Sequence, residues 1–173
     1  MAQASYPLTL VERFALAAYD FVLRALQPML RRKLSRRAQK EPEYALNVAQ
    51  RFGQYVGDVP DGGFVWLHAV SLGETRAAAL LLPALRAAFP GMRLLLTHST
   101  ATGWLQGRSL LQPGDVQAWL PWDTAQATHR FLTHFQPRMG LLMETEVWPR
   151  LVVACQRAGV PLFLLNARMS EKS

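Results

Sequence analysis

Cysteine is almost missing from this chain. Cys155 stands alone, which excludes an internal disulfide and a multi-cysteine metal site. It lies in the apolar run Leu151-Val152-Val153-Ala154-Cys155 and reads as a packed core thiol. Long uncharged runs are also lacking, and none approaches the ~20 residues that span a bilayer. Glu12, Arg13 and Asp20 interrupt the apolar N-terminal stretch, so it does not read as a cleaved leader. No G-x-G-x-x-G and no Walker-type lysine occurs, so a complete nucleotide site is not visible. The four histidines, at 68, 98, 129 and 134, lack zinc-motif spacing, and no metal or cofactor is inferred. His129 and His134 read as solvated helix positions. Acidic residues are in short supply, 12 against 19 Lys and Arg, for a net charge of +7. That surplus suits an anionic partner: nucleic acid, an acidic membrane face or a phosphorylated substrate.

Half of the 173 residues are hydrophobic and 18% are charged, which excludes both a disordered tail and a membrane-embedded bundle. Nine basic and four acidic residues fall between Met1 and Val56, so this stretch carries most of the surplus. Within it, Pro7 to Leu30 reads as one helix with a narrow polar stripe. Thr9, Glu12, Arg13, Asp20, Arg24, Gln27 and Arg31 share one sector, while Phe14, Ala17, Ala18, Phe21, Val22 and Ala25 lie outside it. The basic cluster Arg31-Arg32-Lys33-Leu34-Ser35-Arg36-Arg37 follows. Two readings fit the pattern: an interfacial anchor on an anionic leaflet, or a helix packed on its own domain with a solvated basic exit. The cluster lacks aromatic interleaving, so nucleic-acid binding is not expected.

From Phe64 onward, short apolar runs alternate with helical stretches. The runs are Phe64 to Val70, Leu94 to Thr97, Val116 to Leu120, Met139 to Met143 and Val160 to Leu165. The helices are expected over Glu74 to Ala88, Ala101 to Leu111, Asp123 (as cap) to Phe135, and Pro149 to Ala158. This alternation predicts an α/β, Rossmann-like open parallel sheet with helices on both faces. Function in such sheets collects at the carboxyl ends of the strands, where this sequence places His68, Ser71 and Glu74, then Thr97, His98, Ser99 and Thr100. Trp122 and Asp123 follow, then Glu144, Thr145 and Glu146, then Asn166, Arg168, Ser170 and Glu171.

Ser71-Leu72-Gly73-Glu74 has two readings. It is a capping box, with Ser71 as N-cap and Glu74 reaching back, or Glu74 is a general base at a helix N-terminus. The two are compatible at different moments, and Gly73 allows close approach of a ligand. Glu144 and Glu146 leave a buried strand at alternate positions, a costly arrangement unless a cation or hydroxyl-rich ligand compensates. The Asn166-to-Ser170 segment is either an ordinary polar loop or an anion site in which Arg168 is the cation.

Several segments together resemble the Kdo (3-deoxy-D-manno-octulosonic acid) transferase family of GT-B glycosyltransferases. They are Trp66 to Glu74, Thr97 to Gly103, Leu120-Pro121-Trp122-Asp123, Glu144-Thr145-Glu146-Val147-Trp148-Pro149 and Asn166 to Ser173. The resemblance implies metal-free, inverting transfer of Kdo from CMP-Kdo to a lipid A precursor in lipopolysaccharide biosynthesis. It implies Glu74 as the base. Ser71, Gly73, Thr97, Ser99, Thr100, Glu144, Glu146, Arg168 and Ser170 become substrate-binding candidates. It divides the chain into a membrane-proximal helix and basic linker, 1–56, and an acceptor-side domain, 57–173. The C-terminal donor domain, which would hold CMP-Kdo, is expected to be absent from this chain, so that the parent is an enzyme and the chain alone does not turn over. The implied location is the cytoplasmic face of the bacterial inner membrane, as a peripheral protein. Leu72 departs from the family's common Val, and Arg150 from its common Asn. The rival readings are a non-catalytic module binding lipid A precursor or another anionic lipid, and a GT-B enzyme with another acceptor.

Overall fold

Apolar runs too short for helices become the middle layer of the protein, which a computed structural model describes over residues 8–57, 62–144 and 148–166. They form β1 (Val65–His68), β2 (Leu94–His98), β3 (Val116–Trp119), β4 (Met139–Met143) and β5 (Leu162–Leu165). All pair in parallel, in the order β3-β2-β1-β4-β5. Every residue of β1 and β2 is buried, which is why these runs are continuous rather than alternating. Successive side chains point to opposite faces and supply two cores. Phe64, Trp66, Leu95, Ala118, Phe131 and Leu151 build one, covered by α5 (Ala125–Phe135) and α6 (Pro149–Ala158). Val65, Leu67, Leu94, Leu96, Ala78 and Leu82 build the other, covered by α3 (Leu72–Ala88) with α4 (Ala101–Arg108) beside it. This is the Rossmann-like sheet expected, and β4 and α6 occupy the expected residues.

Cys155 is the packed core thiol expected, 1% exposed, and burial pushes it up to about 12. It is therefore a protonated, unreactive filler at neutral pH.

The N-terminal region differs from the single helix expected over Pro7 to Leu30. α1 (Leu10–Ala25) and α2 (Gln27–Ala38) meet at Leu26. Pro28 gives the reason: its ring conflicts with the carbonyl four residues back, yet is tolerated in the first turn of a new helix. Thr9 and Glu12 start α1 with a reciprocal capping box. Two 3-10 turns, Pro42–Ala45 and Val48–Phe52, follow α2. Leu34, Tyr44 and Phe52 pack on Ala101 and Trp122, pinning the segment to the carboxyl edge of the sheet. Arg51, buried, lies 3.8 Å over the Trp119 ring and donates to Ser99 O at 3.2 Å. Desolvation draws its pKa down to about 10, so it remains charged at neutral pH.

α4 rests on a histidine. His98 Nδ1 donates to Ala69 O at 2.8 Å, and Gly103 and Gly107 face its ring. A Cβ on Gly107 would collide with His98 Nε2 and lie 2.7 Å from Gln117 Nε2. Gly107→Ala should therefore lower stability by ~1–3 kcal/mol through overpacking, visible as a lower urea midpoint. An unchanged midpoint would mean that α4 shifts freely over β2.

Candidate functional site at the β1–β4 crevice

Strand order reverses between β1 and β4, and the helices that follow them cover opposite faces of the sheet. A crevice therefore opens at their carboxyl ends, where open α/β sheets bind ligands. One wall is the loop from Ala69 to Glu74. Ser71 Oγ caps α3, accepting from Glu74 N at 3.4 Å, and donates to Glu74 Oε1 at 3.1 Å. Glu74 Oε2 accepts from Val70 N at 2.7 Å. The capping arrangement thus forms, with the carboxylate reaching one residue beyond the cap. It leaves Glu74 only 8% exposed.

Val70 also turns its carbonyl to the next loop, accepting from Thr100 Oγ1 at 2.7 Å, Thr100 N at 3.1 Å and Ser99 N at 3.4 Å. One residue therefore locks the β1–α3 loop to the β2–α4 loop, bringing Ser71, Glu74, Ser99 and Thr100 together. Gly73 sits exposed beside them, and its nearest neighbour to an added Cβ is Ser71 Oγ at 3.9 Å, leaving room for a ligand. Thr97 lies beneath the edge. It is fully buried, and its hydroxyl accepts from Trp66 Nε1 at 2.8 Å and contacts His68 Nδ1 at 2.9 Å.

Glu144 follows β4, the strand paired with β1, its amide donating to Leu165 O at 2.8 Å. Its φ of 60° is left-handed, a conformation costing a non-glycine residue roughly 1 kcal/mol or more. Glu146, Arg168 and Ser170 lie outside the described residues.

Sequence reasoning misplaced Asp123 and missed its partners. The cap of α5 is Thr124, whose Oγ1 accepts from Ala127 N at 3.3 Å. Asp123 instead caps α6 from a distance, Oδ2 accepting from Arg150 N at 2.9 Å and Oδ1 from Leu151 N at 2.7 Å. Burial pushes its carboxyl up, while these amides, the Tyr19 hydroxyl and the Arg150 charge pull it down. Arg150 donates through Nη2 to Leu16 O at 2.7 Å. Asp20 accepts from Ala125 N at 2.6 Å and pairs with Arg24 Nε at 2.9 Å. Asp20, from the polar stripe, thus seats α1 on the N-termini of α5 and α6, with Leu16, Tyr19 and Leu23 half-buried beside it. The outer face keeps Leu10, Val11, Phe14 and Phe21 more than 70% exposed. The stripe was visible in the sequence; its partners, more than 100 residues away, carried no local signal.

Residues 46–173 match the family described as 3-deoxy-D-manno-octulosonic-acid transferase (kdotransferase). The chain belongs to the Kdo transferase family. Relatives of this Kdo transferase chain include the 3-deoxy-D-manno-octulosonic acid transferase of Bordetella pertussis, 45% identical over 90% of the chain and 38% of that protein. A probable mitochondrial 3-deoxy-D-manno-octulosonic acid transferase of Arabidopsis thaliana is 32% identical over 92% of the chain and 36% of its own length. The Haemophilus influenzae transferase is 30% identical over 90% of the chain and 36% of that protein. The Kdo transferase chain therefore spans little more than a third of the length of these relatives.

The two histidines under the site are uncharged. Burial draws His68 down to about 3 and His98 to about 4, from an ordinary 6.5. Below about pH 6.5 the unfolded chain takes up protons that the folded chain refuses, so stability falls with pH. The slope is ~1.4 kcal/mol per pH unit for each histidine once the unfolded imidazole is protonated. Urea midpoints should decline from pH 7 to pH 5. A flat profile would mean that the imidazoles protonate inside the fold.

Proposed function

We propose that this chain is the acceptor-side half of an inverting glycosyltransferase. The enzyme moves Kdo from CMP-Kdo to a hydroxyl of a lipid A precursor in lipopolysaccharide biosynthesis. The observation that carries the reading is Glu74, a carboxylate oriented at the switch-point crevice of a family member. Its bond to Val70 N fixes one oxygen. Ser71 Oγ occupies the other in a position that an acceptor hydroxyl can take over. Glu74 then removes the proton as the acceptor oxygen bonds to the anomeric carbon and the bond to CMP breaks. Ser71, Gly73, Ser99, Thr100, Glu144 and Glu146 contact acceptor or Kdo hydroxyls, and Thr97 supports them from below. Arg168 and Ser170 serve at the approach to the donor half. No metal or cofactor takes part, and the donor half of the enzyme holds CMP-Kdo.

Residues 1–56 form the membrane-proximal appendage and 57–173 the acceptor-side domain. Orientation favours the anchor over a helix merely packed on its own domain, because a packed helix buries its apolar face. α1 packs a mixed face of Leu16, Tyr19, Asp20 and Leu23 and leaves its larger apolar face outward, with Phe14 78% and Phe21 73% exposed. The outward apolar face and the basic face of α2 suit a peripheral seat on the anionic cytoplasmic leaflet of the inner membrane. No described helix is long and apolar enough to cross a membrane.

In the full-length protein, Glu74→Gln should reduce Kdo transfer by ~10²–10⁴-fold while acceptor binding persists. Unchanged turnover would remove Glu74 as the base. A Phe14→Ser/Phe21→Ser chain keeps its docked polar stripe and should lose most co-flotation with phosphatidylglycerol vesicles. Flotation equal to the parent chain would eliminate the anchor.

A further inference from the structure

A groove of about 660 Å³ runs between α5 and α6, on the flank of the sheet beside α1. Arg24, Arg150 and Arg157 border it, and no carboxylate lines it among the described residues. Its floor is apolar, with Leu132, Val153 and Ala154 between the cationic ends. Arg150 and Arg157 stand seven residues apart on α6, two turns and about 10.5 Å along one face.

The nearby carboxylates offset part of the groove's charge, and among the described residues none pairs with Arg157. Asp123 directs both oxygens to backbone amides of α6. Asp20 accepts from Ala125 N, pairs with Arg24 Nε and forms a longer ion pair with Arg150 Nε at 3.8 Å, too far for a hydrogen bond. That buried Nε has no hydrogen-bond partner among the described residues. Arg150 is also tethered through Nη2 to Leu16 O, so little side-chain entropy remains to be lost on binding.

We propose that this groove is a headgroup site for an acidic phospholipid. The arginines take the phosphate, and the glycerol and first acyl carbons lie on the apolar floor. The proposal rests on the reading of α1 as membrane-seated, since α1 supplies Arg24 to the groove while turning Phe14 and Phe21 outward. The basic surface of α2, with Arg32, Lys33, Arg36 and Lys40, adds attraction to the leaflet. Arg37 on the same surface is also tethered, donating to Tyr44 Oη at 3.1 Å.

The test is amide NMR of the whole chain, titrated with dihexanoyl phosphatidylglycerol below its micelle concentration, dihexanoyl phosphatidylcholine and inorganic phosphate. Phosphatidylglycerol should give saturable shifts over residues 126–133 and 150–158, with weaker responses to the other two probes. Arg157→Gln, at an exposed position, should weaken binding about tenfold, the loss of one charge-assisted hydrogen bond. Lys33→Gln should leave it intact. Shifts confined to α2, phosphatidylcholine binding as tight as phosphatidylglycerol, or inorganic phosphate binding as tight as either lipid would each overturn the proposal. Vesicle flotation of the same chain separates the two readings. Flotation without groove shifts removes the headgroup site, and groove shifts without flotation remove the membrane seat on which the proposal rests.

Discussion

Two buried carboxylates, Asp20 and Asp123, hold the protein's parts in register. A charge taken out of water must find donors, and both find them at the starts of helices. Asp123 receives the first amides of α6, and Asp20 receives the first amide of α5. Tyr19 and Arg150 then connect the two sites. Because Asp20 and Tyr19 belong to α1, satisfying these charges also decides which way α1 faces. Asp20 and Tyr19 turn inward with Leu16 and Leu23, and Phe14 and Phe21 are left outside.

The same economy of contacts shapes the crevice. Val70 gives its amide to Glu74 and its carbonyl to Thr100, so two loops from adjacent strands act as one wall. Beneath them the buried hydroxyl of Thr97 and the ring of His98 fill the sheet's two faces. Small residues on α4 make room for that ring. Glu144 adopts a strained backbone across the crevice. Strain of this kind persists where the surroundings over-determine it.

Much of this was legible in the residues. Continuous apolar runs named the strands, because a strand buried on both faces has no polar side to show. Ser71 and Glu74 named a helix start because capping is a local event over four residues. The order of five short motifs named the family. Pro28 could have announced the break between α1 and α2, since a proline kink depends only on its own ring. Asp123 misled because a carboxylate next to a helix is usually that helix's own cap, and Thr124, one residue on, took the place.

The sequence by itself determined the elements, the covered parallel sheet and the Ser71–Glu74 turn, all of which follow from interactions within a few residues or from hydrophobic period. Only the tertiary structure decided that β1 lies beside β4, which brings the loop of Glu74 and the strand end before Glu144 to neighbouring strands. Only it decided the inward face of α1 and the partners of Asp123 and Arg150. Those outcomes depend on where buried charges find donors across more than a hundred residues, and periodicity carries no record of such pairings.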